Sequence, residues 1–195
     1  MTEQEADRVK TLTNLAAGAG ALALTAGVAL GTQGASAADR SPAATPRAIV
    51  ALQFTLRLAV NPYQVANVRG AGSSDGVPII QYPLTTGANE RWQLDAAGGS
   101  YYTIKSVSSG KCVNVAGGGT ANGTEVIQYT CGTAPNELWR FVPTGIGYQI
   151  VDKSANKCLN VAGGVGVGRI LIQYSCTPQG APNDVWLPVW EPNNR

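Results

Sequence analysis

From residue 53 onward, apolar and polar positions alternate in short runs, and no stretch sustains a period of 3.6 residues. "YYTIKSV" (101–107), "TEVIQYTC" (124–131) and "YQIVDKS" (148–154) are rich in β-branched and aromatic residues, and glycine clusters separate them. Asp75-Gly76 and Asn122-Gly123 are pairs that favour tight turns between strands. The pattern predicts an all-β domain. Upstream the chain reads differently: Arg8 and Lys10 precede an apolar, Ala/Gly-rich run from Leu15 to Gly31, which Ala35-Ser36-Ala37 follows. That order predicts a secretory signal over residues 1–37. Glu3, Glu5 and Asp7 make its start net acidic, and a retained anchor is the alternative. A bilayer span needs about 20 strongly apolar residues, and this run is short and interrupted by glycine. Residues 38–52, with Pro42 and Pro46, predict a linker or disordered mature N-terminus, which leaves one domain over 53–190.

Within that domain the chain repeats itself. "KCVNVAGG" begins at Lys111 and "KCLNVAGG" at Lys157, and a drifted copy places Asn67 of "VANV" where those segments have Asn114 and Asn160. The register then holds: "IIQY" ends at Tyr82, "VIQY" at Tyr129 and "LIQY" at Tyr174, and "NERW", "NELW" and "NDVW" end at Trp92, Trp139 and Trp186. Three units result, about 54–100, 101–146 and 147–190, each of about four short strands and too small to bury a hydrophobic face alone. In the first copy Val65 and Leu84 stand where the others have cysteines. The paired loss predicts a disulfide within each later copy, Cys112 with Cys131 and Cys158 with Cys176, out of three possible connectivities. Each such loop would contribute roughly 3 kcal/mol in the chain-entropy model.

Composition removes several functional classes. The 195 residues contain no histidine, which excludes a Ser-His-Asp triad, a Cys-His pair and the mixed zinc sites that use His. Four cysteines in an exported chain favour disulfides and an extracellular location. Loss of residues 1–37 would leave 12 bases against 9 acids, too small and dispersed a balance to indicate nucleic acid. No cofactor or metal is expected, nor stable membrane insertion once the signal is cleaved, and the chain is expected to be a monomer.

Three copies of Cys-x-Asn-Val, a Gly-rich turn, Gln-Tyr-x-Cys and Asn-x-x-Trp resemble the ricin B-type lectin repeat, met also in family 13 carbohydrate-binding modules. The resemblance covers roughly Phe54 to Leu187 and implies a β-trefoil with the three tryptophans in its core. It also implies one shallow sugar site per unit, built from an Asp, an aromatic and an Asn. Carried over by position, these become Asn67, Tyr82 and Asn89; Asn114, Tyr129 and Asn136; and Asn160, Tyr174 and Asn183. Two departures stand out. Asn replaces the family's Asp in all three copies, and Glu90, Glu137 and Asp184 replace the Gln of its Gln-x-Trp signature. Since the family's Asp and Gln touch, the resemblance implies a contact between Asn114 and Glu137 in place of that pair.

Bland readings stand beside these. Alternation in "VIQYTC" sets Tyr129 on one face with Ile127 and Cys131, which suits a core tyrosine unless a bulge re-aims it. Asn114 and its equivalents could simply bond backbone in a turn. Trp190, beyond the last repeated landmark, is either a closing plug or an exposed aromatic. The favoured function is a secreted lectin for galactose-type or xylose/arabinose-type glycans, acting through up to three weak sites. The alternative is a trefoil scaffold for protein binding or protease inhibition with degenerate sugar sites. An enzyme is not expected: the acids are repeated beside each Trp or scattered singly, unlike the paired carboxylates of a glycosidase.

Overall fold

The computed structural model describes residues 52–191, so the expected signal (1–37) and all but the last residue of the expected linker (38–52) lie outside the described residues. Each unit supplies four strands: β1 (Gln53–Leu58), β2 (Asn61–Val68), β3 (Ile79–Pro83) and β4 (Trp92–Ala96) in the first; β5 (Tyr102–Ser106), β6 (Cys112–Val115), β7 (Val126–Tyr129) and β8 (Trp139–Pro143) in the second; β9 (Tyr148–Asp152), β10 (Cys158–Val161), β11 (Leu171–Tyr174) and β12 (Trp186–Glu191) in the third.

Six strands close on themselves. Antiparallel pairs run β1–β4, β4–β5, β5–β8, β8–β9, β9–β12 and β12–β1, so the ring has no free edge. The tightest seams join neighbouring units, with Trp92 opposite Ser106, Trp139 opposite Asp152 and Trp186 opposite Leu58. The remaining strands form three hairpins, β2–β3, β6–β7 and β10–β11, which meet one another through bridges at Pro78–Ile127, Ile80–Ile170 and Glu125–Ile172. A six-stranded ring with three such hairpins is a β-trefoil.

Trp92, Trp139 and Trp186 are fully buried in one continuous core with Leu56, Ile104 and Ile150. Each indole N–H donates across its own unit to a strand carbonyl: Ala66 at 3.3 Å, Val113 at 2.9 Å and Leu159 at 2.9 Å. The apolar ring fills the core while its one polar atom is satisfied. Trp190 does not plug the barrel: half its surface is exposed, and its ring packs at a tilt, 5.1 Å from Phe54.

Both predicted disulfides form, Cys112–Cys131 and Cys158–Cys176, each with Cα atoms 5.0 Å apart. They tie the start of the second and third hairpins to the segment after each. They are only half buried, since Cys112 and Cys158 lie inside while Cys131 is exposed. Val65 is buried and Leu84 half-buried at the corresponding places in the first unit.

The units are locked by a residue between two landmarks. Gln81, Gln128 and Gln173 sit mid-strand and are buried, and each reaches into another unit. Gln128 Nε2 donates to the Gly72 and Ser74 carbonyls, and Gln173 Nε2 to those of Gly119 and Ala121. Gln81 Oε1 accepts from the Gly166 amide at 2.8 Å. Backbone bonds of the same three glutamines reinforce each junction.

Candidate functional site

Each hairpin leads into a tight turn. A glycine with positive φ follows the Asn-Val-x step in all three units, Gly70 at 60°, Gly117 at 59° and Gly163 at 66°, a conformation that a Cβ would strain. The turn carries the chain away from the strand and leaves a recess between hairpin and loop. Facing it is the short segment that ends in the repeat Trp, which bears Asn89, Asn136 and Asn183.

The two asparagines of each unit bond directly. Asn89 Nδ2 donates to Asn67 Oδ1 at 2.9 Å and to the Val68 carbonyl at 3.0 Å. Asn136 repeats this with Asn114 Oδ1 and Val115, and Asn183 with Asn160 Oδ1 and Val161. The second asparagine thereby spends both of its N–H bonds. Because a backbone carbonyl fixes which end of that amide is nitrogen, the first asparagine must present its oxygen to it. The Nδ2 of Asn67, Asn114 or Asn160 then has no partner among the described residues. An Asp in that position would offer a second carboxylate oxygen, an acceptor, so the Asn reverses the polarity of the site.

In the second unit Asn114, Ile127, Tyr129 and Asn136 line a cleft of about 550 Å³. In the first, Asn67, Ile80, Tyr82 and Asn89 line one of about 390 Å³, together with Arg69. The tyrosines are exposed by 42–47%. Tyr129 does share a face with Ile127, as alternation requires, but that face is the wall of the cleft. Val126 and Gln128 take the interior, so no bulge is needed. In the third unit the same amide pair forms, but Arg169 Nη1 donates to the Ala162 and Gly163 carbonyls and braces the loop. The structure thus brings together all three expected residues in the first two clefts, and the amide pair in the third.

The expected contact of Asn114 with Glu137 is corrected: no hydrogen bond joins them among the described residues. Glu137 is buried, and its carboxylate accepts from the amides of Gly132 at 2.9 Å and Ala134 at 2.8 Å. Glu90 does the same for Thr85, and Asp184 for Thr177 and Ala181. The acid shapes the loop ahead of the Trp, and the neighbouring Asn, one residue earlier, takes over the contact to the site.

A model of the ricin-type beta-trefoil lectin domain-like family matches residues 52–129 and 88–174. The chain belongs to that family. Among solved structures, this trefoil is similar to a designed threefold-symmetric protein, ThreeFoil, at 33% identity over 70% of this chain and 97% of that one, with a TM-score of 0.67. It is also similar to an exo-β-1,3-galactanase from Clostridium thermocellum, at 26% identity over 75% of this chain and a TM-score of 0.67, although it spans only 31% of that enzyme. The Rhizoctonia solani agglutinin shares the fold at 21% identity, over 75% of this chain and 100% of that one, with a TM-score of 0.64. A search of curated protein sequences finds no match.

In this ricin-type trefoil the hydrogen-bonded Asn pair recurs in all three units. Sequence reasoning found the asparagines and tyrosines through their recurrence. It missed the buried glutamines, although a polar letter recurring in the middle of three apolar strands was a signal. It missed Arg69 and Arg169 because neither recurs.

Proposed function

We propose that this chain binds carbohydrate, of galactose type or xylose/arabinose type, through up to three weak clefts. The observation that carries the reading is an exposed Tyr beside a hydrogen-bonded Asn pair in an open cleft of the first two units, with the same pair repeated in the third. A sugar needs a flat apolar face for its C–H surface and fixed polar groups for its hydroxyls. The Tyr ring supplies the first at low entropic cost. The Asn pair supplies the second, already ordered by its bond to backbone. Under this reading the second unit, with Asn114, Tyr129 and Asn136, is the strongest site, and Arg169 narrows what the third, with Asn160, Tyr174 and Asn183, can accept. Each open cleft should bind in the range of about 0.1–1 mM, equivalent to roughly 4–5.5 kcal/mol. Retention on a polymer would come from several clefts engaging together.

The rest of the proposal follows from that binding role. Residues 1–37 act as a cleaved secretory signal and 38–52 as a linker to the 53–190 domain, and the mature protein works outside the cell as a monomer. Two disulfides fit an oxidising setting. Catalysis is not part of the reading, because the three repeated acids hold backbone amides instead of facing one another across a cleft. The test is retention on insoluble galactan and xylan, with free galactose as competitor. Tyr129→Ala should lower retention more than Tyr82→Ala or Tyr174→Ala while leaving the fold intact. If all three variants are retained like wild type, or wild type is not retained and a protease panel shows inhibition, the scaffold function takes its place.

A further inference from the structure

The three units repeat one amide pair, and one position gives the first cleft a charge that the others lack there. The residue after the Asn-Val step is Arg69 there and alanine, Ala116 or Ala162, in the other two. Arg69 is exposed, lines the first cleft beside Asn67 and Tyr82, and is the only charged side chain among that cleft's lining residues. It forms no ion pair among the described residues. Its main chain is pinned on both sides: the Arg69 N–H donates to the Pro78 carbonyl at 3.1 Å, and the Arg69 carbonyl accepts from Gly72 at 3.2 Å. The guanidinium therefore departs from a fixed point on the rim.

At the floor of the same cleft, Asn67 turns its oxygen to Asn89 and keeps its Nδ2 without a protein partner among the described residues. Arg69 on the rim and Asn67 Nδ2 on the floor are thus two donors, one of them cationic. A hydroxyl can accept from such groups, but it brings no charge of its own to pair with the guanidinium. A carboxylate is matched on both counts, since it has acceptors alone and fits the guanidinium fork with two parallel bonds.

The geometry points to an acidic saccharide, a uronate, as the ligand of the first cleft, with its ring against Tyr82 and its carboxylate between Arg69 and Asn67. This rests on the reading of the clefts as sugar sites. It also gives the unit without a disulfide a specificity of its own, where the second and third clefts carry no charge at the equivalent position.

The experiment is affinity electrophoresis of the full chain through gels containing polygalacturonate, or the same polymer after carboxyl reduction to its neutral form. Wild type should bind the acidic polymer at least tenfold more tightly than the neutral one, with the preference falling as salt is raised. Arg69→Ala should abolish the preference, and Asn67→Asp, which keeps an acceptor for Asn89 but adds a like charge, should do the same with an unchanged melting temperature. Lys153→Ala removes an exposed cation elsewhere on the surface and should retain the preference. Equal loss in Lys153→Ala and Arg69→Ala would reduce the effect to general attraction of a polyanion and overturn the proposal. So would equal binding of the two polymers by wild type, and in that case the sugar-binding reading would stand. If wild type binds neither polymer nor any neutral glycan, that reading falls as well.

Discussion

Ala155→Ser should stabilise this protein, and the reason lies in a comparison between two of its units. Gln128 is completely satisfied: its Nε2 donates to two carbonyls of the first unit, and its Oε1 accepts from Ser109 Oγ at 2.7 Å. Gln173 occupies the same place one unit later and makes the same two Nε2 bonds, but its buried Oε1 has no partner among the described residues. Ala155 stands where Ser109 stands, two residues before the lysine that opens the repeat. An unsatisfied buried acceptor costs about 1–3 kcal/mol, and a hydrogen bond that fills it recovers about 1 kcal/mol net. For the domain over 53–190, with an unfolding entropy of about 2.1 cal/mol/K per residue, that corresponds to a rise in Tm of roughly 3–4 °C. Urea unfolding should show a higher midpoint at unchanged m. Ser109→Ala should produce the mirror loss of about 1–2 kcal/mol. The new hydroxyl lies near a second unsatisfied oxygen, Oδ1 of buried Asp152, whose Oδ2 already accepts the Ala155 amide. A double-mutant cycle with Gln173→Met separates the two acceptors, because the gain must vanish in that background. No rise in midpoint, or a rise that survives Gln173→Met, would refute the reasoning.

Two further outcomes follow from the loops. Glu137→Gln replaces a carboxylate that accepts two backbone amides with an amide that can accept through only one oxygen, and should cost about 2 kcal/mol in urea unfolding. Because Asn114 bonds Asn136 instead, the cost should be nearly additive with Asn114→Asp, with coupling below about 0.5 kcal/mol. Asp75 accepts from Lys111 Nζ and from Thr130 of the second unit, and the Lys111 hydrogen bond, ahead of the Thr130 bonds, holds its carboxyl below the ordinary value of 3.8. A depressed folded-state pKa gives stability that is complete above the unfolded value and is lost as pH falls below it. Asp75→Asn should therefore lower Tm near neutrality and bring the mutant and wild-type curves together in acid.

The sequence showed the trefoil because its landmarks recur in order, and recurrence survives the drift of any one copy. It paired the cysteines because Val65 and Leu84 changed together. Alternation correctly grouped Tyr129 with Ile127, yet it could not say which face was interior. That was decided by Gln128, a polar residue buried because it finds carbonyls in a neighbouring unit, and no local pattern encodes a partner more than fifty residues away. The pairing of Asn114 with Glu137 went wrong for a related reason. Both candidates lie next to each other, at 136 and 137, and the choice between them depends on how the loop over 130–135 folds back. Its amides point at the acid, which leaves the amide side chain for the site.

Threefold symmetry here does more than repeat a site, because the chain just beyond the glycine turn of each unit is held by another unit. Gly70 and Ala71 border the first cleft, and the chain just beyond them, Gly72 to Ser74, is held by Gln128 of the second unit. Gly117 and Gly118 border the second cleft, and Gly119 to Ala121 is held by Gln173 of the third. The circle closes where Gln81 of the first unit accepts the Gly166 amide in the loop of the third. A side chain adjacent to one tyrosine therefore orders the rim of a different cleft. Gln128 lies beside Tyr129, but its removal should disorder the rim of the first cleft and leave the second cleft's own rim in place. Gln128→Met ought to weaken binding that depends on Asn67 and Tyr82 more than binding that depends on Asn114 and Tyr129. The opposite ranking would mean that neighbours in sequence, and not the bonds between units, set the order of these clefts.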